Sequence, residues 1–516
     1  MKRKFFGAIA MTAATALLCT GCAFGGKQTS SATGSTGDTS EPLTLITDWE
    51  TMATITLGDT VTIDGDGAEL KEDVIYITEG GEYLISGESD QVCVLVNTED
   101  DVKLTLNNAT MTNATGPVIY GEDSKSIYVA TAAGTTNILK DGSDYDVDDE
   151  GKAVGKATIF SNDRLVLLGE GTLQIEGNFK HGICSDDDVY IEGGTIEINA
   201  LVKDGIHAND YICVDSGELT ISAVSDCMES EGPLTINGGT ITGESRDEGI
   251  ESKDVLTVNG GTVSLNVIDD GYNASNELVI NGGESKVYCS TGDALDSNGS
   301  LTINGGTVYA YGGSAPEGAL DCDENDVVIN GGTIVAVGDS NSAISENSGQ
   351  ISVLLGSYTK DSVIALMDED GKELFSFTLE VSKSNIVLSL PDLVSGSSYE
   401  IQVNGETDQT FTADSQVISA GGSATTMGGG FGQQGMGGFG NGMMGGGNMP
   451  DGGNMPDGGD MPDGNQGTPG NNGDFNGNGD MGGGTAPSMP GQDGTTQTMP
   501  GQDGTTPEMP EGNDGL

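Results

Sequence analysis

A repeat of about 22 residues constrains this chain more than any local propensity does. The clearest units are Asp204-Gly205-Ile206-His207-Ala208, running on to Ile221, and Glu248-Gly249-Ile250-Glu251-Ser252, running on to Val263. Glycine pairs or their equivalents recur at Gly193-Gly194, Ser216-Gly217, Gly238-Gly239, Gly260-Gly261, Gly282-Gly283, Gly305-Gly306 and Gly331-Gly332, with steps of 23, 22, 22, 22, 23 and 26 residues. Within each unit, short alternating runs such as Leu234-Thr235-Ile236 and Leu301-Thr302-Ile303 lie between Gly, Asn and Asp. Such runs are too short for helices and suit strands separated by turns. Three short strands per unit, stacked unit on unit, predict an all-β parallel β-helix of about 22 residues per coil over residues 45–350. Leucine-rich repeats have a comparable period but need a leucine-dense consensus, which is absent. An aliphatic column of Ile183, Ile206, Met228, Ile250, Tyr272, Leu295, Leu320 and Ile344 is expected to face the core.

The turns fit this reading. Asn237, Asn259, Asn281, Asn304 and Asn330 each precede Gly-Gly, and in a stack identical positions lie about 4.8 Å apart. Their side chains are expected to bond along the stack. Upstream, Ile55 to Leu173 carries the same material less regularly, as terminal coils must. After residue 350 the period lapses into longer alternating strands, and residues 351–419 are expected to form a small β-rich cap over the open end. Residues 420–516, rich in Gly, Met, Pro, Asn and Asp, lack the apolar side chains of a core and are expected to be disordered.

The first residues set the expected compartment. Met1-Lys2-Arg3-Lys4 precedes an apolar run from Phe5 to Leu18, then Cys19-Thr20-Gly21-Cys22. That is the order of a lipoprotein signal peptide over residues 1–21, with Cys22 lipidated and residues 22–44 a flexible tether. An ordinary cleaved signal and an uncleaved anchor are the alternatives. The chain would then sit on the outer face of the cell membrane, held only by its N-terminal lipid, and is expected to be monomeric. Six further cysteines, at 93, 184, 213, 227, 289 and 322, show no metal-knuckle spacing and are expected to be mostly free and buried.

With 19 basic and 80 acidic residues the formal charge is -61. Such a field excludes nucleic acid and repels other anionic polymers unless cations bridge them. Halophilic adaptation also produces acidity, but here the acids follow the repeat. Immediately before the glycine position stand His181, Asp204, Asp226, Glu248, Asp270 and Asp293, with Asp247 and Asp269 one position earlier. Two positions after that glycine stand His207, Glu229, Glu251, Asn273, Asp296 and Asp321. A column in sequence becomes a ladder in space, and carboxylates at that spacing raise one another's pKa or call for a counterion. Hard oxygen ligands suit Ca²⁺, so Asp204, Asp226, Glu229, Asp247, Glu248, Glu251, Asp269, Asp270, Asp293 and Asp296 are the candidate ligands. An acidic turn facing solvent needs no metal, and that reading stays open.

Catalytic signals are thin. The only candidate bases for a β-eliminating lyase are Lys180, Lys203, Arg246 and Lys253, all beside acids with which they can pair. Tyr309 and Tyr311 share a face by alternation and are candidates for stacking on a sugar ring.

Gly116-Pro117-Val118-Ile119-Tyr120, the run Ala157 to Leu165, Lys180-His181-Gly182-Ile183, the Asp-Gly-Ile and Asn-Gly-Gly-Thr units, Pro391 to Tyr399 and the Gly/Met-rich tail together resemble a family of bacterial surface proteins. These carry a carbohydrate-binding β-helix related in fold to pectate lyases. The resemblance spans roughly residues 50–415 and implies binding of cellulose-like or uronate-containing polysaccharide with bound calcium. The chain departs from the pattern at His181 and Cys184, where Asp and a small polar residue are usual, and at Cys227, which replaces the repeat glycine. The expected function is calcium-dependent polysaccharide binding at the cell surface. The alternatives are a calcium-dependent lyase and a structural or adhesive surface protein.

Overall fold

The computed structural model describes residues 43–148, 151–323 and 325–422. The signal peptide, Cys22, most of the tether and nearly all of the tail fall outside the described residues. Every element among the described residues is a β-strand. They stack as a parallel solenoid of about 11 coils of roughly 23 residues, as the repeat predicts. One wall is an eleven-stranded sheet of short strands, from Ala68–Lys71 to Leu295–Ser297. The other strands of each coil belong to a larger sheet that turns a corner. In the strands Asp188–Ala200 and Tyr211–Ala223 the corner is taken within one continuous run.

The coil interior explains the period. Ile183, Ile206, Met228, Ile250, Tyr272 and Leu295 pair in register from coil to coil, and Leu295 bridges Leu320. All seven are fully buried. Ile344 does not continue that column: it is buried, but it bridges Val327. The longer spacing between the last two glycine pairs shifts the register, so Ser342 meets Leu320 instead.

The asparagine ladder forms as its sequence spacing requires. Each Asn Nδ2 donates to the Oδ1 one coil earlier: Asn259 to Asn237, Asn281 to Asn259 and Asn304 to Asn281 at 2.8 Å, and Asn330 to Asn304 at 2.9 Å. The second glycine of each pair has positive φ, between 80° and 99° from Gly239 to Gly332, a conformation costly for residues with a Cβ. Asp215 heads the ladder and accepts Asn237 Nδ2 at 2.6 Å. Beside it, burial and the Asp215 carboxyl push Glu192 up to about 7. An acid whose folded pKa is raised binds more protons folded than unfolded, so its contribution to stability is lost as pH rises from about 4.5 through 7. Glu192→Gln is therefore expected to melt above the parent at pH near 8 and with it near 4, a difference that scanning calorimetry at the two pH values reads directly.

The ends are closed differently. Leu43, Ile46 and Trp49 pack across the outside of the solenoid against Tyr128, Val166, Tyr190 and Cys213. Trp49 meets Tyr128 edge-on, its ring centroid 5.0 Å away. At the other end a four-stranded antiparallel sheet, Glu373–Thr378, Val363–Asp368, Ser398–Val403 and Glu406–Thr412, forms the body of the cap. The strands Ser352–Leu355, Asn385–Ser389 and Val417–Ala420 instead extend the large sheet. Asn385–Ser389 pairs antiparallel with Thr333–Gly338, so the parallel stack ends on a reversed strand.

Candidate functional site

The short-strand sheet turns one side chain per coil outward, and register makes these a single row. It runs Tyr76, Leu95, Tyr120, Phe160, Cys184 and His207. It continues through Glu229, Glu251, Asn273 and Asp296, and the Leu295–Leu320 bridge brings Asp321 next. The chemistry changes along the row. Tyr120 and Phe160 stack at 5.6 Å with planes 15° apart, and Lys156 lies over the Phe160 ring at 5.7 Å. Past Cys184 the row is imidazole, then carboxylate. The aromatic half escapes sequence reasoning because its coils are irregular in length; in the sequence only the position two after the glycine marks the row.

The second acidic column, immediately before the glycine position, has a structural task that its repetition alone does not reveal. Asp226 Oδ1 accepts the amide of Glu248 at 3.0 Å, Asp270 Oδ1 that of Asp293 at 2.7 Å, and Asp293 Oδ1 that of Gly318 at 2.5 Å. One oxygen of each acid thus satisfies a backbone donor of the next coil, an unmet need that would be costly at this depth.

Electrostatics divide the ladder into two halves. In the first, cations are built in. Lys203 Nζ lies 2.9 Å from both Asp204 Oδ2 and Glu229 Oε2, and Lys253 Nζ lies 2.5 Å from Glu251 Oε1 and 3.7 Å from Glu229 Oε1. Burial opposes ionisation of Asp204, but hydrogen bonds from His181 and His207 outweigh it and hold its carboxyl far below the usual range. Glu229 is lowered, chiefly by His207. His207 is raised to about 9: burial disfavours its charge, but Asp204 and Glu229 overcome that. Asp226, buried between Asp204 and Glu248, is pushed up to about 10. Asp247, Glu248 and Asp269 bring one oxygen each within 4.8 Å of one another at a more exposed edge.

The second half has carboxyls without such partners. Burial and neighbouring acids push Asp270 to about 7, Asp293 to about 9 and Asp296 to about 8. Asp293, Asp296 and Asp321 each place an oxygen within 4.8 Å of the others. Like charges held this close favour either protons or a cation.

Of the candidate bases, Lys203 and Lys253 are committed to ion pairs, while Lys180 and Arg246 are exposed. The two candidate tyrosines require a correction. Tyr311 is 2% exposed and belongs to the apolar cluster shared with the cap, beside Val335, Val337 and Leu388. The cap covers the face that alternation assigns to it, so it offers no ring to a sugar. Tyr309 is half-buried against the same cluster. Tyr288, one coil earlier, instead lines an open cleft of about 530 Å³ with Lys360, Asp361 and Glu380. All six cysteines are unpaired and buried, as expected.

A family model described as carbohydrate-binding domain-containing protein matches residues 71–318 and 230–432. A curated relative of the same description, from Acetivibrio thermocellus, is 29% identical over 188 residues, covering 36% of this chain and 62% of that protein. The match thus spans less than two thirds of the relative's length. A solved structure described as a polysaccharide lyase-like protein from C. thermocellum, a gadolinium derivative, is 28% identical with a TM-score of 0.44, covering 44% of this chain and 96% of that one.

Proposed function

This chain belongs to the carbohydrate-binding domain-containing family, and from that membership we propose that it binds extracellular polysaccharide through calcium seated at the acidic end of its outward row. The observation that carries the proposal is the cluster of Asp293, Asp296 and Asp321 beside Asp270. Its carboxyls are packed within 4.8 Å of one another with no lysine or arginine paired to them among the described residues. Ca²⁺ takes six to eight oxygens in flexible geometry. Asp293, Asp296 and Asp321 would hold it, with Asp270 beside them, and the remaining positions would take water, sugar hydroxyls or a uronate carboxylate. A cation there also resolves how so acidic a chain approaches an acidic glycan. Lipidation at Cys22 and display on the outer membrane face complete the proposal, placing the row where polymer is met. A cellulose-like polymer and a uronate-containing one are the two substrates to compare.

Proton abstraction has less support, because Lys203 and Lys253 are tied to carboxylates and an ammonium so held is a poor base. The test is retention of the full chain on immobilised cellulose and on polygalacturonate, with calcium and then with chelator, while ultraviolet absorbance reports unsaturated products. Retention that chelator abolishes, with flat absorbance, is the expected result. Rising absorbance would make the protein a lyase. Absence of retention on both polymers in every condition would overturn glycan binding for these substrates and leave the structural role.

A further inference from the structure

The chain contains two histidines, and the fold brings both to one point. His181 opens the strand His181–Ser185 and His207 sits in Ile206–Ala208, one coil on. Their rings stack at 4.7 Å, and both Nδ1 atoms face Asp204 Oδ2, at 2.9 and 3.5 Å. Glu229 Oε2, from the following coil, is 3.2 Å from His207 Nδ1. His181 is 4% exposed, and its Nδ1 has no aligned hydrogen bond despite the short approach to Asp204. A buried nitrogen that aims at the cluster without bonding in it is what a ligand atom looks like.

The surroundings fix the tautomer that ligation requires. His207 Nε2 lies 3.3 Å from Asn209 Oδ1, an acceptor, so Nε2 carries the proton and Nδ1 presents its lone pair inward. Asn209 Nδ2 in turn donates to Asp186 Oδ1 at 3.2 Å, and Lys156 Nζ holds that same oxygen at 2.5 Å. This outer relay orients the ring, as carboxylates and carbonyls do behind metal-bound histidines.

We infer that His181, His207 and Asp204, with Glu229 as a fourth ligand, form a binding site for a borderline divalent transition ion, for which Zn²⁺ is the probe. Two imidazole nitrogens and carboxylate oxygens suit that class, whereas calcium prefers oxygen throughout. The site is distinct from the all-oxygen cluster at the far end of the row and does not depend on glycan binding. Bound there, the ion would join side chains from three successive coils. Lys203 is its competitor: its ammonium meets the same two oxygens, and its side chain, 43% exposed, has solvent to withdraw into.

The test is calorimetric titration of the full chain with Zn²⁺ in excess Ca²⁺, paired with the visible spectrum of the Co²⁺ form. One equivalent should bind, and Co²⁺ should give absorption showing nitrogen ligation. Asn209→Ala, which alters only the outer relay, should weaken Zn²⁺ by about tenfold or more. The double variant His181→Gln/His207→Gln should lose the site, and Lys203→Met should tighten it. Circular dichroism of each variant separates lost ligation from lost fold. No Zn²⁺ uptake by the parent, or undiminished uptake by a folded double histidine variant, would overturn the assignment. Tightening by Lys203→Met bears on it even if both histidine variants fail to fold.

Discussion

Asp293→Asn together with Asp296→Asn is expected to abolish calcium-dependent retention on glycan, lowering calcium affinity by at least about tenfold, while leaving the apo fold intact. The two carboxylates supply charge to the cluster with Asp321, and calcium affinity follows the number of charged oxygens. The apo fold should survive because an asparagine Oδ1 can still accept the Gly318 amide that Asp293 now accepts. The sign of the stability effect is set by the raised pKa values. Burial and neighbouring acids hold Asp293 near 9 and Asp296 near 8, against 3.8 in the unfolded chain. The folded state therefore binds more protons, and stability falls as pH rises from about 4 through 9. The amides remove that loss, so the apo double variant should melt at or above the parent when both are alkaline. In the parent, calcium at a hundredfold over its Kd should add about 2.7 kcal/mol. In the double variant that increment should vanish. Paired melts with calcium and chelator, run beside the retention assay, measure both effects. Undiminished calcium stabilisation in the variant would remove the acidic end as the seat of the ion.

What the sequence made legible was whatever stacks vertically. The glycine pairs, the Asn237-to-Asn330 ladder and the column from Ile183 to Leu320 all lie one coil apart, so the period exposes them directly. Interactions across a coil, or with an element outside the repeat, leave no such trace. Alternation puts Tyr311 on an outer face, and only the cap, whose strands lack the period, shows that this face is covered. Ile344 left its column because the last step is longer than the others. The acids were legible as columns, but their division was not. Which carboxyls carry a built-in cation depends on where Lys203 and Lys253 reach, and sequence adjacency names several acids equally. Likewise His181 and His207 stand in different columns of the repeat, and the diagonal that joins them exists only in the stack.

The same blindness to cross-coil contact hid the reason for Cys227, and it leads to a sharp stability prediction. At the glycine position of most coils, a Cβ would collide with a branched side chain from the residue sixteen further on. Gly182 faces Ile198 at 2.5 Å, Gly205 faces Ile221 at 2.4 Å and Gly249 faces Leu265 at 2.8 Å. Where Cys227 replaces that glycine, the residue sixteen further on is Gly243, whose own missing Cβ would lie 2.8 Å from Cys227 Sγ. Size is thus exchanged across the coil, from glycine with isoleucine to cysteine with glycine, and close packing is kept. Gly243→Ile alone should overpack the core and cost about 1–3 kcal/mol, occasionally more. Cys227→Gly alone should lose buried contacts and add backbone freedom, again about 1 kcal/mol or more. Combined, the two restore the arrangement of the neighbouring coils, and isoleucine also suits a strand better than glycine does. The double variant should therefore recover most of what Gly243→Ile loses, with a coupling energy of about 1–3 kcal/mol. A double-mutant cycle from urea melts measures it. Additive losses would mean that Cys227 and Gly243 are independent, and that the missing repeat glycine has some other cause.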